Sequence, residues 1–136
     1  MYNATISNCY TGHGNTVTNI GASYGGGFAG DASSGNTLQD CYCATIDVDC
    51  QHAFSGANTG THTDCFYDSD LANETQTNVT GKTTAEMKAL ATFADTATEG
   101  LTTAWSIARV GDWVDETWVI GDSDGDMYPE LYEFYQ

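Results

Sequence analysis

Three stretches share one grammar: Thr5-Ile6-Ser7-Asn8-Cys9-Tyr10, Thr37-Leu38-Gln39-Asp40-Cys41-Tyr42 and Thr61-His62-Thr63-Asp64-Cys65-Phe66. Each runs from a Thr through an alternating pair to an Asn or Asp, then Cys and an aromatic. Alternation reads as strand, and a unit that recurs at this length reads as a stack of repeats rather than one irregular globule. Glycine-rich segments separate the copies: Tyr24-Gly25-Gly26-Gly27-Phe28-Ala29-Gly30 and its weaker echo His52-Ala53-Phe54-Ser55-Gly56. Cys9 and Cys41 stand 32 positions apart and Cys41 and Cys65 stand 24 apart. These spacings suit coils of a parallel solenoid with corner loops of variable length. The expected fold is therefore mainly β: a short parallel β-helix over residues 1–70, a loop over 71–81, and a cap over 82–136. Cys9, Cys41 and Cys65 should form one inward ladder, since a thiol behaves as a small apolar group. Phe28 and Phe54 should form a second.

The cap is expected to hold one short helix and a small Trp-rich β element. Thr83-Thr84-Ala85-Glu86 supplies a Thr N-cap with an acid in the first turn, and Met87, Leu90, Ala91 and Phe93 follow at helical spacing. A helix there would cover the open end of the stack. Trp105, Ile107, Val110, Trp113, Val114, Trp118, Val119 and Ile120 read as the cap's own core.

Together these segments resemble GLUG repeats, found in large bacterial and archaeal surface proteins and adhesins. The likeness rests on Thr5 to Tyr10 followed by Gly26-Gly27-Phe28-Ala29-Gly30. It continues through Cys65-Phe66-Tyr67-Asp68-Ser69-Asp70, Gly81-Lys82-Thr83-Thr84-Ala85-Glu86-Met87-Lys88, the Trp-x-Ile segments at Trp105 or Trp118, and Tyr128-Pro129-Glu130-Leu131. The second repeat departs from the pattern, with Cys43 and Cys50 extra and the Gly-Gly-Phe core reduced to Ala53-Phe54. The resemblance implies the C-terminal end of a β-helical array and a surface location; the location expected for the chain is extracellular, at a cell surface or in a virion. It implies no chemistry.

Nineteen Asp and Glu against three Lys and Arg give the chain a net charge of −16. Such a surface repels nucleic acid. Two origins for the acidity stand: adaptation to high salt, or binding of divalent cations. Asp outnumbers Glu 13 to 6, and the acids are spread along the chain, which favours a general surface property. No run approaches a membrane span and no N-terminal signal is visible. A fragment beginning at an added Met, export by another route, and a virion component assembled inside the cell all fit that reading.

The strongest local motif is Asp122-Ser123-Asp124-Gly125-Asp126-Met127-Tyr128. Hard Ca²⁺ takes six to eight oxygens. With Asp122 as loop position 1, the expected ligands are Asp122, Asp124, Asp126, the Tyr128 carbonyl and Glu133. Met127 stands where such a loop needs Gly. Cys43 and Cys50 could close a disulfide around Ala44 to Asp49, stay as buried thiols, or bind zinc with Cys41 and His52. Asn3, Asn73 and Asn78 begin glycosylation sequons, of which Asn73 and Asn78 fall in the expected loop.

No catalytic set emerges from the sequence. Three functions are consistent with it: a non-enzymatic structural or adhesive module that assembles with itself or with another surface or virion protein; a carbohydrate- or receptor-binding adhesin domain presenting Tyr10, Tyr24, Tyr42 and Tyr67; and a β-helical glycan-degrading enzyme, with Asp47 and Asp49 as a carboxylate pair.

Overall fold

The structure is a computed structural model in which residues 3–18, 25–48, 50–112 and 115–134 are described. Among the described residues it is mainly β, with few short helices. The first repeat supplies β1 (Thr5–Ser7), β2 (Tyr10–Thr11), β3 (Thr16–Thr18) and β4 (Ala29–Ala32). The second supplies β5 (Thr37–Gln39), β6 (Tyr42–Cys43), β7 (Ile46–Val48) and β8 (Ser55–Asn58), and the third β9 (Thr61–Thr63) and β10 (Phe66–Asp68).

Strands at the same place in successive repeats pair in parallel. Thr5 lies opposite Thr37 and Thr37 opposite Thr61; Tyr10 lies opposite Tyr42 and Tyr42 opposite Phe66. β3 pairs with β7 and β4 with β8 in the same sense. The repeated Asn or Asp explains how each copy turns from its first strand to its second. Asn8, Asp40 and Asp64 have φ of 53°, 52° and 52°, the left-handed region that short polar side chains tolerate best after glycine. Gly26 serves a different need, because a Cβ there would lie 2.6 Å from the carbonyl oxygens of Ala29 and Phe54.

In the sheet β2-β6-β10, β6 and β10 are buried on both faces, whereas β2 is half-buried. One face contributes Cys43 and Tyr67 to a core with Leu38, Cys41, Phe54 and Cys65, against which Cys9 and Phe28 pack. The Phe28 and Phe54 rings stack 4.7 Å apart and 4° from parallel. The other face presents the column Tyr10, Tyr42 and Phe66 to the C-terminal segment.

That segment departs from expectation in three ways. β11 (Thr80–Lys82) falls where a loop was expected and adds in parallel to β10, with Phe66 opposite Thr80. The helical part divides into α1 (Thr84–Met87) and α2 (Leu90–Ala94). Beyond them, β12 (Ile107–Arg109), β13 (Trp118–Ile120) and β14 (Glu130–Leu131) form a small mixed sheet that ends in a single 3-10 turn at Tyr132–Phe134. The Trp cluster is also not a separate cap core. Trp118 lies 5.9 Å from both Tyr10 and Tyr42, and Trp105 lies 6.1 Å from Phe66. The C-terminal segment therefore runs along the flank of the repeats and touches all three. The aromatic after each Cys gives that flank a continuous apolar column, which the Trp rings cover. Trp113 and Val114 lie outside the described residues.

Candidate functional site

The most organised polar cluster lies beside the third repeat. Gln76 is buried, and its Oε1 accepts the backbone N–H groups of Phe54 and Ser55 at 2.8 Å each. Its Nε2 donates to Ser55 Oγ at 2.9 Å and to Asn78 Oδ1 at 3.4 Å. The second contact orients the Asn78 amide, whose nitrogen then meets His62 Nδ1 at 2.8 Å. His62 Nε2 in turn lies 3.1 Å from Ser55 Oγ.

A Ser beside a His invites comparison with a nucleophile and its base. The hydrogen-bond directions run the wrong way. Nδ1 must accept from the Asn78 NH₂ group, so Nε2 carries the proton and donates to Ser55. An imidazole in that tautomer cannot take a proton from the Ser hydroxyl. Ser55 is also fully buried. Burial holds the His62 pKa below its ordinary value.

A cleft of about 380 Å³ opens beside this network, lined chiefly by His62, Thr63, Asn78, Thr80 and Thr102. It follows the free side of β9. Thr61 N–H donates to Asn36 O at 2.9 Å and Asp40 N–H donates to Thr63 O at 3.2 Å, so Thr61 and Thr63 face β5 while the His62 backbone faces the cleft. Asp64 closes one end of it. Its carboxylate accepts from the backbone N–H and hydroxyl of Thr102 and from Thr103 N–H, and its carbonyl accepts from Trp105 Nε1 at 3.1 Å.

The acids expected to share Ca²⁺ are not gathered around one point. Arg109 Nη2 bonds Asp124 Oδ1 at 2.6 Å, and Leu90 N–H donates to the same oxygen at 3.1 Å. Asp126 Oδ2 accepts from Ser123 N and Oγ at 3.1 and 2.8 Å. The Arg109 hydrogen bond holds the Asp124 pKa below the usual carboxylate range, and the Ser123 hydrogen bonds do the same for Asp126. Tyr128 faces away from the loop. Its hydroxyl donates to buried Asp68, and burial followed by that hydrogen bond pushes its pKa up to about 12. Lys88 Nζ sits 5.1 Å from the centre of the Tyr128 ring. Asp122 and Glu133 are exposed. Arg109 thus tethers the acidic loop through Asp124. Among the described residues no group of three or more His, Cys, Asp or Glu is placed to hold a metal ion, the set Cys41, Cys43, Cys50 and His52 included.

The clip between Cys43 and Cys50 is not formed. Cys43 Sγ lies 3.1 Å from Thr45 Oγ1, whereas Cys50 Sγ lies 3.8 Å from Val17 O. Cys65 contacts the Cys41 thiol, and that contact together with burial pushes its pKa up. Asn73 and Asn78 are both exposed. Of the aromatics suggested as a glycan platform, Tyr42 and Tyr67 are buried and Tyr10 is half-buried. Tyr24 and Asp49 lie outside the described residues.

Among the described residues no helix is long and apolar enough to cross a membrane. Compared with protein-family models, curated proteins and solved structures, the chain matches none of them. Sequence reasoning missed the His62 network because Gln76 lies 21 residues from Ser55 in an otherwise exposed polar loop.

Proposed function

We propose that the chain is a non-enzymatic structural or adhesive module of a cell surface or virion, built as a short β-helix of the GLUG type. The observation that carries this reading is the register: residues equivalent in the repeat are pairing partners in successive copies. Solenoid coils stack in that way, and they commonly present shape and extended surface rather than a reaction centre. The inverted hydrogen-bond direction at Ser55 and His62 supports the non-enzymatic part. The test is native mass together with electron micrographs of the purified chain. The reading expects an oligomer or an extended particle, and a monomer at every salt concentration would contradict self-assembly.

The polar cleft along β9 favours one second reading, a carbohydrate-binding adhesin domain. Threonine, asparagine and histidine groups suit sugar hydroxyls. Binding on a glycan array that disappears when Thr102 is replaced by a bulky residue such as Trp would support it. Release of product from a bound glycan would instead favour a β-helical glycosidase.

A further inference from the structure

The two ends of the repeat stack differ. Ile6 lies directly over Leu38 in register, yet it is 41% exposed where Leu38 is 3% exposed. The same contrast holds for Cys9 over buried Cys41, Phe28 over buried Phe54 and Tyr10 over buried Tyr42: each first-repeat residue is only half-covered. A cavity of about 150 Å³ opens between β1 and β4, lined by Ala4, Ile6, Ala29, Asp31, Ala32 and Leu38 among others.

The backbone is open there too. Ala4 O accepts from Thr37 N–H at 2.8 Å and Asn8 N–H donates to Gln39 O at 3.2 Å. Ala4, Ile6 and Asn8 therefore face β5, and the N–H and C=O groups of Thr5 and Ser7 face outward. Edge strands of soluble proteins are ordinarily guarded by charge, proline or a bulge. Here the guard is missing: in a chain of net charge −16, the first thirty residues contain no Asp, Glu, Lys or Arg. Two such acidic molecules can meet along that stretch with little repulsion, the nearest acid being exposed Asp31 on β4 beside the cavity.

We infer that the open first-repeat end is a docking surface for a second copy of this chain, seated head to head about a two-fold axis with β1 antiparallel to its counterpart. A two-fold interface uses one patch twice, so the outward N–H and C=O groups of Thr5 and Ser7 meet their own equivalents and Ile6 is covered by its neighbour. Head-to-tail stacking meets an obstacle at the opposite end. There β11 extends its sheet one strand beyond β10, while β9 remains the edge of its own sheet. A second copy seated on β9 would drive its β2 into β11. The inference rests on reading the repeats as one stack, and it narrows the proposed assembly to a closed pair.

Sedimentation of the full chain at low and high salt tests it, with three variants compared. The parent should be a dimer that tightens as salt screens the remaining acids. Ile6→Asp should weaken the dimer by about a hundredfold or more, because two carboxylates would be buried at the axis. Thr5→Pro, which removes one outward N–H, should weaken it too. Thr61→Asp on β9 should leave it intact, and near-UV circular dichroism checks that each variant is folded. A dimer that survives both β1 substitutions would overturn the pairing. An open filament broken equally by Ile6→Asp and Thr61→Asp would overturn the head-to-head geometry while leaving the assembly reading in place. A parent that stays monomeric at every salt would remove both.

Discussion

Asp40 occupies the left-handed corner that Asn8 fills in the first repeat and Asp64 in the third. Burial, and then the neighbouring Asp64 charge, raise its pKa. A carboxyl whose folded pKa is raised opposes folding when charged, and the penalty fades as pH falls through the folded value towards about 3.9. Asp40→Asn should therefore stabilise the chain at neutral pH by about 0.5 kcal/mol, the scale of a partly exposed charge pair, and the gain should vanish in acid. Thermal melts of the two proteins across pH measure this. His62 gives the opposite trend. Its folded pKa is depressed, so stability should be lost as pH falls below about 6.5, and melts of His62→Gln should lack that loss. The physical cause is local: a protonated ring would turn an Nδ1 proton towards the Asn78 NH₂ group. At this scale the sequence disclosed the repeated Asn or Asp but not its conformation. The signal was present, since Asn and Asp are the residues that best tolerate a left-handed corner outside glycine. The Gln76 network was illegible, because nothing near Gln76 in sequence points to Ser55.

Among the elements, α1 was the most legible, because its start signal is local. Thr83 Oγ1 accepts from Glu86 N–H at 3.3 Å, and Glu86 Oε2 accepts from Thr83 N–H at 2.8 Å. Thr83→Ala breaks this reciprocal cap and should cost about 1 kcal/mol in chemical denaturation, with no change in the denaturant slope if only the cap is lost. Thr80–Lys82 was hidden for the opposite reason. Thr-Gly-Lys has neither length nor alternation, and it becomes a strand only because Phe66–Asp68 offers it an edge. The acidic loop shows a further limit. Spacing alone suggested a cation site, but Arg109 and Leu90, which engage Asp124, arrive from other elements.

Across the whole molecule, the repeat order was readable and the placement of the C-terminal segment was not. Placement depends on long-range packing, here of Trp105 and Trp118 against the aromatic column Tyr10, Tyr42 and Phe66. Net charge acts at this scale as well. With 19 acids against three cations, mutual repulsion should make stability rise with NaCl or KCl, most steeply while the Debye length falls through about 10 Å near 0.1 M. Calcium at matched ionic strength should add nothing further, because Asp124 and Asp126 are already engaged by Arg109, Leu90 and Ser123. A melting temperature raised by Ca²⁺ well beyond that of matched NaCl would show that the loop can rearrange around a cation.

The measurement that bears most directly on the stacked-repeat account is a set of nuclear Overhauser contacts from Leu38. The account predicts contacts from Leu38 to both Ile6 and His62, its register partners in the two flanking strands. Contacts confined to sequence neighbours, or an antiparallel pattern between the first two repeats, would contradict it.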